Sequence, residues 1–458
     1  MRDISGFRNI LVAGACLALL NVSTVYGIDI DPLTVVAAAD TPVVDDVPMG
    51  QSPGGEEALL PEEEEGKLFG VEGGYFHPYI SLAGEWTDNI YNLNVDKKSN
   101  FLTRVSPGLW LALPRTKIIP VTITPHNSSA GGLQQQLKDH SGTDRYQVYA
   151  LGGVDFLNYS EDSDLNSTDG NLEGLARYNM RGGLSLQVLD RYSVGHDRFE
   201  VGNSIIEQLR EFQSNIFMAT ADYVVTEKVR LKADYSMFYL NYDDEINAFL
   251  NRDDNTLDLY GYYVYSEKTS FFVQYSLMDV TYDTESLRDN SQNYLYGGIK
   301  WDTTDKLSML LKAGYQQKDF DTLRAGSSNY DGLALDLQTT YKFKEKAELV
   351  LDVYRKNEES DSAVALDKKV LGAKLGYFQE YTDKISGKFD LTYEDAAYRQ
   401  LVIQDRDDMR FVLRPAVQYL FRKWLMGEVA YSYDKRDSTD DLFDYQTNTF
   451  MANLNFAL

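Results

Sequence analysis

The chain has 458 residues and a formal net charge of -26 at pH 7, with 70 acidic against 44 basic side chains. This acidity argues against a nucleic-acid partner, because phosphates are bound by basic surfaces. Outside the N-terminus there is no run of about 18 apolar residues, which excludes membrane-spanning helices but leaves spanning strands possible. The 33 tyrosines and 11 prolines are typical of a chain with many strands.

Residues 1–27 predict a cleaved export signal. Two arginines precede an apolar stretch over residues 10–22, and Val25 and Gly27 stand at the positions that a signal peptidase prefers to find small. A first core strand or helix is the less favoured alternative. The only cysteine, Cys16, lies inside this segment, so the mature chain is expected to have no disulfide and no cysteine-bound metal.

Residues 28–70 predict a disordered acidic tether. Positions 28–66 hold eleven acids, no base and no aromatic residue. Such a segment cannot bury enough apolar surface to fold. Residues 71–458 are then expected to form a single β domain.

From residue 75 onward the sequence predicts about eighteen strands, because apolar and polar residues alternate through segments long enough to cross a bilayer at a tilt. The predicted strands are 75–90, 99–114, 145–160, 170–180, 183–195, 208–224, 229–243, 254–266, 270–283, 291–302, 306–319, 329–343, 347–357, 367–380, 385–397, 407–421, 423–435 and 444–458. The fold class is therefore all-β, a transmembrane antiparallel up-and-down β-barrel of about 18 strands.

The connections sort into two kinds that alternate along the chain. Very short turns such as Thr382-Asp383-Lys384 take turns with longer acidic segments such as DTESLRDNS and NEESDSA. This alternation indicates a meander with one smooth and one elaborated rim, and it favours a barrel over a soluble sandwich. The segment 115–144 is too long for the short-turn rim. It could fold into the lumen as a plug, or its 118–124 portion could add a strand.

Charged residues on the polar face of the strands are candidates for lining a pore. They are Lys232, Asp234, Lys300, Lys312, Asp336, Lys388, Asp390, Arg410 and Arg414. Cations and acids on adjacent strands, such as Arg410 and Arg414 beside Lys388 and Asp390, could form a charged eyelet that filters solutes. The rival interpretation, somewhat favoured, is a structural ion-pair ladder that keeps the wall rigid.

Neither catalytic nor cofactor motifs stand out in the sequence. There is no nucleophile elbow, phosphate-binding glycine loop or zinc signature, and the four histidines lack metal-ligand spacing. We expect no enzyme, no cofactor and no metal centre. The acidic segments near 243–254, 405–408 and 437–441 could coordinate divalent cations, but solvated loops explain them better.

Residues 75–114 resemble the opening of the putative β-barrel porin family of Gram-negative outer-membrane proteins. The similar features are a proline near the start of the first strand, the stretch Thr87-Asp88-Asn89-Ile90-Tyr91, and Ser106-Pro107-Gly108-Leu109 in the second strand. The resemblance implies an outer-membrane location in contact with lipid, with the N-terminus in the periplasm. Some members are linked to exopolysaccharide secretion, which implies an export channel served by periplasmic polysaccharide-export components.

The last predicted strand carries apolar residues at alternate positions to its end, namely Phe450, Ala452, Leu454, Phe456 and Leu458. In barrels that this chain resembles, the outer-membrane assembly machinery recognises such a strand, although the usual terminal Phe is here Leu458. The sequence therefore predicts a channel, with passage of a hydrophilic polymer such as exopolysaccharide as the specific hypothesis. A general diffusion porin and a non-conducting structural or surface-interaction barrel are the alternatives.

Overall fold

The structure is a computed structural model that describes residues 75–113, 123–125, 133–135, 145–197, 210–304, 306–323, 328–362, 364–400 and 405–457. The predicted export signal (1–27) and the whole predicted tether (28–70) lie outside the described residues. No helix in these ranges is long and apolar enough to cross a membrane.

The described chain is built almost entirely of antiparallel strands. They are β1 (Phe76–Thr87), β2 (Asn100–Leu113), β3 (Ile123–Pro125), β4 (Leu133–Gln135), β5 (Tyr146–Tyr159), β6 (Ser167–Asn179), β7 (Leu184–Asp197), β8 (Arg210–Thr226), β9 (Val229–Tyr242), β10 (Arg252–Ser266), β11 (Thr269–Tyr282), β12 (Asn290–Thr304), β13 (Leu307–Phe320), β14 (Tyr330–Lys344), β15 (Ala347–Glu359), β16 (Ala365–Glu380), β17 (Ile385–Gln400), β18 (Arg406–Arg422), β19 (Leu425–Ser438) and β20 (Tyr445–Ala457).

Eighteen of these strands form one closed barrel. Each pairs with its neighbours in chain order, and β1 pairs with β20 from Tyr79↔Ala457 to Thr87↔Thr449, which closes the sheet. The predicted antiparallel up-and-down barrel of 18 strands is confirmed, with strand ends that differ from the prediction by a few residues. Closure gives every strand of the barrel two neighbours, which is what a wall in contact with lipid requires.

The segment 115–144 is described only in part. Strands β3 and β4 pair with each other, from Ile123↔Gln135 to Pro125↔Leu133, and they do not belong to the eighteen-stranded sheet. The other residues of this segment lie outside the described ranges. The idea that it plugs the lumen therefore stays a prediction.

The outer face of the barrel is apolar because alternate residues of each strand point outward. In β11 the outward residues Phe271, Val273, Tyr275 and Leu277 are exposed, whereas Gln274 and its inward neighbours are buried. Elsewhere on this face Val429 and Leu333 are 65% and 63% exposed. A continuous apolar surface of this kind would aggregate in water, and it is stable in a bilayer.

Exposed aromatic side chains gather toward both ends of this apolar band. Toward the rim with the short turns, which we call the short-turn rim, they include Tyr263, Tyr265, Phe271, Trp301, Tyr341, Tyr381, Tyr419 and Trp424. Toward the opposite end, which we call the long-loop rim, they include Trp86, Tyr235, Tyr275, Tyr315, Tyr393 and Phe450. Aromatic rings are enriched at the two membrane–water interfaces. The two groups therefore mark the limits of the membrane-spanning band.

A side-chain cap repeats in five loops of the long-loop rim. The Asn or Asp directly before the returning strand accepts a hydrogen bond from the backbone N–H of the last residue of the preceding strand. The donor and acceptor residues are Tyr159 and Asn166 (2.7 Å), Tyr242 and Asn251 (2.7 Å), Tyr282 and Asp289 (2.7 Å), Phe320 and Asn329 (3.1 Å), and Ser438 and Asp444 (2.6 Å). Each cap satisfies a strand-end donor and fixes how the loop leaves the wall.

We expect Asn251→Ala to lower the free energy of unfolding by about 1–3 kcal/mol, because it leaves the buried Tyr242 N–H without its acceptor. The measurement is urea unfolding in lipid vesicles. Asn251→Asp is the matched control, since Asp289 provides the same cap in the next loop. Equal losses in the two variants would contradict the role of the cap.

Candidate functional site

The inner face of the barrel carries all nine predicted pore-lining residues. Six of them are at most 9% exposed, namely Lys232, Asp234, Lys312, Asp336, Arg410 and Arg414. Lys300, Lys388 and Asp390 are half-buried and lie on the same face by the alternation of β12 and β17. The structure thus places these residues on one surface, spread over six strands.

Charges on the wall from β9 to β14 are paired with neighbouring polar groups. The Lys232 ammonium lies 2.5 Å from the Asp234 carboxylate, which also accepts a 2.7 Å hydrogen bond from Thr220. The Lys312 ammonium lies 3.7 Å from Asp336 and donates to Gln274 at 3.4 Å. Buried charges are tolerable only with such partners.

The arginines of β18 pair toward β19. Arg410 donates to both carboxylate oxygens of Asp434, at 3.2 and 2.8 Å, and an Arg414 nitrogen lies 3.8 Å from Glu428. On the other side, Asp390 of β17 is in register with Arg414. Partners of opposite charge on adjacent strands are the arrangement of an ion-pair ladder.

An aromatic tract lies on the same inner face, and the sequence reasoning missed it. Tyr260 and Tyr262 of β10 stack at 5.9 Å, and Tyr294 and Tyr296 of β12 stack at 5.7 Å, between ring centroids. Phe272 of β11 joins them at 5.4 Å from Tyr262. The signal available in the sequence was the occurrence of these rings at the even-numbered positions that otherwise hold polar residues.

The end of the β15–β16 hairpin separates from the wall on its β14 side. Along β15 most residues up to Tyr354 are half-buried and Arg355 is exposed, and then Lys356 to Glu359 are all buried; Ala365 to Asp367 at the start of β16 are also all buried. Both faces of a strand are covered only when protein lies on both sides of it. We call residues 356–362 and 364–367 the inserted hairpin.

Strand pairing shows where the inserted hairpin separates from the wall. β14 pairs with β15 only from Leu335↔Arg355 to Lys344↔Ala347, whereas β15 and β16 stay paired up to Glu359↔Asp367. The outer residues of β14 pair with β13 alone, through contacts such as Lys318↔Tyr330. The hairpin therefore parts from β14 after Arg355 and remains intact as a hairpin.

Glu359 anchors the inserted hairpin to the inner face of β11–β13. Its carboxylate accepts hydrogen bonds from Lys318 at 2.6 Å, Tyr282 at 2.8 Å, Gln292 at 2.9 Å and Asn290 at 3.3 Å. Glu359 and Lys318 are both 0% exposed. Because these partners all point into the barrel, the hairpin lies inside it.

The backbone of the hairpin is also held by wall side chains. The Gln316 side-chain amide donates to the carbonyl of Asn357 at 3.0 Å and accepts from its N–H at 2.9 Å. Arg288 donates to the carbonyl of Ser360. Gln316 thus replaces the strand partner that β15 lost when it separated from β14.

Asp361 faces a second group of cations, on β16, β18 and β19. Burial alone would raise the pKa of its carboxyl, but the Lys368 ammonium, 3.9 Å away, and the Arg436 and Arg406 guanidinium groups together hold the pKa below its ordinary value of 3.8. Tyr398 of β17 adds a hydrogen bond. The tip of the hairpin is therefore held from two different parts of the wall.

The depressed pKa of Asp361 predicts a pH dependence. A carboxylate whose pKa is lower in the folded than in the unfolded state stabilises the fold above the unfolded value, and this contribution is lost as pH falls through the folded value. We expect Asp361→Asn to lower the unfolding midpoint by a constant amount above about pH 5, and by less in stronger acid. The measurement is thermal unfolding from pH 3 to 8. A difference that stays unchanged at pH 3 would contradict it.

No group of three or more His, Cys, Asp or Glu side chains is placed to hold a metal ion among the residues that the structure describes. Carboxylates in the acidic loops of the long-loop rim instead accept hydrogen bonds from backbone N–H groups nearby in the chain. Asp440, for example, accepts from the Leu442 N–H at 3.2 Å, and Asp444 forms the strand-end cap.

Comparison with known proteins gives the family. The sequence profile of the family described as "Putative beta-barrel porin 2" matches residues 122–458, most of the chain. The chain belongs to this family. It is an outer-membrane β-barrel porin. The residues 75–114 that first suggested the resemblance precede the matched region; there Asn89 donates to the carbonyl of Gln446 at 3.1 Å, tying the β1–β2 loop to β20.

Solved structures of other porins are similar to this chain with low sequence identity and TM-scores below 0.5. A BenF-like porin from Pseudomonas fluorescens Pf-5 has 9% identity and a TM-score of 0.45, with 84% of this chain and 99% of that chain covered. OccK2 (OpdF) from Pseudomonas aeruginosa has 10% identity and a TM-score of 0.44, with the same coverage. OccAB4 from Acinetobacter baumannii has 10% identity and a TM-score of 0.43, again with 84% and 99% covered. Such values say nothing about the solute of this porin. No curated protein matches the sequence.

Proposed function

We propose that this porin is a water-filled path for hydrophilic solutes across the outer membrane. The observation that carries the proposal is the contrast between the two faces of one closed wall. The outer face is exposed and apolar, and the inner face holds amides, hydroxyls and paired charges such as Lys232–Asp234 and Arg410–Asp434. An inner wall of this composition can exchange hydrogen bonds with water and solutes that hydrocarbon excludes. The nine predicted pore-lining residues are proposed to surround this path, which is narrow beside the six that are at most 9% exposed.

A second candidate is the passage of a sugar polymer such as exopolysaccharide. The aromatic tract favours it, because the C–H faces of sugar rings pack on aromatic rings while their hydroxyls take hydrogen bonds from neighbouring polar groups. Cations lie over two of the rings. The Lys232 ammonium is 4.8 Å from the centroid of Tyr260, and the Lys312 ammonium is 4.8 Å from the centroid of Tyr296. A polymer in contact with this tract would have to displace them.

The orientation in the membrane is also a proposal. β1 begins and β20 ends at the short-turn rim, and bacterial barrels place short turns in the periplasm and long loops outside. The acidic segment 28–70 would then tether the barrel on the periplasmic side, where export components could reach it.

The test is single-channel recording in planar bilayers, with protein whose barrel is shown to be folded by heat-modifiable gel mobility. We expect discrete openings, together with swelling of liposomes in small sugars. Current blocks by a soluble polysaccharide, abolished by Tyr296→Ala, would favour the polymer. A complete absence of openings in folded protein would contradict conduction and leave a structural or surface-interaction barrel.

A further inference from the structure

We infer that the inserted hairpin is the element that sets the largest solute the porin admits. This inference rests on the proposed function, because only a conducting barrel has a size limit. It goes beyond that function by assigning selectivity to residues 356–362 and 364–367 rather than to the charged residues of the wall.

The first step is the position of the hairpin. A barrel of 16–18 strands with an unobstructed lumen is wide enough for an aqueous channel. Here β15 leaves β14 after Arg355, while β16 stays paired with β17. The tip of the hairpin accepts hydrogen bonds from inward side chains of β11–β13 on one side, and on the other its Asp361 lies in the field of cations on β16, β18 and β19. These two groups of strands are separated in the sheet by β14 and β15. The hairpin therefore occupies a sector of the lumen that a solute would otherwise use.

The second step is the rigidity of the hairpin. A loose loop would be pushed aside by a solute and could not set a size limit. The Glu359 carboxylate is held by four hydrogen bonds, the Asn357 backbone by Gln316, and Asp361 by Lys368, 3.9 Å away, and the nearby Arg406 and Arg436. Both faces of the hairpin are buried. Hydrogen bonds and ion pairs of this kind, buried together, restrict the hairpin to a narrow range of conformations.

The third step is that the hairpin can be removed without cutting the barrel. The outer part of β14 is paired with β13 and not with the hairpin, and β15 is paired with β14 only from Arg355 inward. The trim removes the pairing of β16 with β17 from Ala365↔Gln400 to Lys369↔Ala397, but this end of β17 keeps its pairing with β18. Lys356 and Val370 are directly opposite each other on β15 and β16. A two-residue Asn-Gly turn in place of residues 357–369 can join them, because that turn suits a tight antiparallel hairpin.

The experiment compares the full chain with this trimmed variant in planar bilayers, with polymers of graded size added to find the exclusion limit. We expect the trimmed variant to show at least about twofold higher conductance and to admit larger polymers. The double variant Lys318→Gln/Glu359→Gln, which loosens the hairpin without changing net charge, is expected to move both readouts in the same direction by less. If the trimmed variant does not fold, the conductance and exclusion limit of this double variant still test the role of the hairpin.

The matched control is Arg230→Gln/Asp222→Asn. It likewise removes an interior ion pair at constant net charge, since Arg230 donates to Asp222 at 2.6 Å, but this pair joins β9 to β8 and does not contact the hairpin. Conductance and exclusion limit are expected to stay at the wild-type level.

The outcomes separate the two proposals. Wild-type openings whose conductance and exclusion limit are unchanged by both hairpin variants would overturn the inference and leave the proposed function in place. If neither the wild type nor any folded variant shows channel openings, both the proposed function and the hairpin inference are overturned. A silent wild type with a conducting trimmed variant would support the hairpin as the obstruction and contradict an open resting channel.

Discussion

Replacing Glu359 alone by glutamine is expected to lower the free energy of unfolding by about 3–5 kcal/mol, the usual cost of breaking a buried ion pair. The variant leaves the fully buried Lys318 ammonium without its carboxylate, next to the buried guanidinium groups of Arg252 and Arg288. The double variant Lys318→Gln/Glu359→Gln is expected to lose less than Glu359→Gln, since it leaves no uncompensated cation from the pair.

The measurement is urea unfolding in lipid vesicles followed by tryptophan fluorescence. Glu227→Gln in an exposed short turn is the control, with an expected change within about 0.5 kcal/mol. A Glu359→Gln variant as stable as this control would show that the network around Glu359 contributes little to the fold.

The second large effect concerns the lipid-facing surface. Val273 lies on the outer face of β11 between Phe271 and Tyr275, which belong to the two opposite aromatic groups, and it is 55% exposed. We expect Val273→Arg to cost about 2–4 kcal/mol, because a guanidinium at the bilayer midplane must be taken out of water. The measurement is the same unfolding titration in vesicles.

The matched control is Leu442→Arg. Leu442 is 69% exposed but lies in the loop between β19 and β20 at the long-loop rim, outside the spanning strands. An arginine there stays in water, so its effect is expected to be small. Equal effects of the two substitutions would contradict the membrane position of β11.

The strands could be predicted from the sequence because their signal is local. A residue period of two and a turn every ten to fifteen residues follow from strand geometry alone, and they placed elements such as β11 and β17 to within a few residues. The difference between the short-turn rim and the long-loop rim could also be predicted, from the alternation of short and long connections. Strand pairing then follows from chain order, because each turn joins neighbours.

The inserted hairpin could not be predicted in the same way. NEESDSA has the composition of an acidic surface loop, and what makes it buried is the set of cations on β10–β13 and β18–β19, which are distant in sequence. One signal was present. On the outer face of β15, Leu351 and Val353 are followed by Arg355, Asn357 and Glu359, and a strand whose lipid side becomes polar has to leave the lipid.

The partner of each charged side chain in the ion pairs could not be predicted from the sequence either. Arg410 had acids within reach on both neighbouring strands, Glu394 on β17 and Asp434 on β19, and the register places one of them opposite Arg410 and the other diagonal to it. The diagonal Asp434 forms the pair. Side-chain length and strand twist decide this, and neither is visible in an alternation pattern.

The seam between β1 and β20 has a consequence for the order of folding. Ser81 donates to Asn455 across it at 2.5 Å, and these residues are 374 positions apart. Every other junction of the barrel can form between strands that are close in the chain, so this one carries the largest loss of chain entropy and is expected to be the last to form. Until it does, the sheet has two unpaired edges that can join another chain. Seam variants such as Ser81→Ala are therefore expected to slow barrel closure and increase aggregation more than they reduce equilibrium stability.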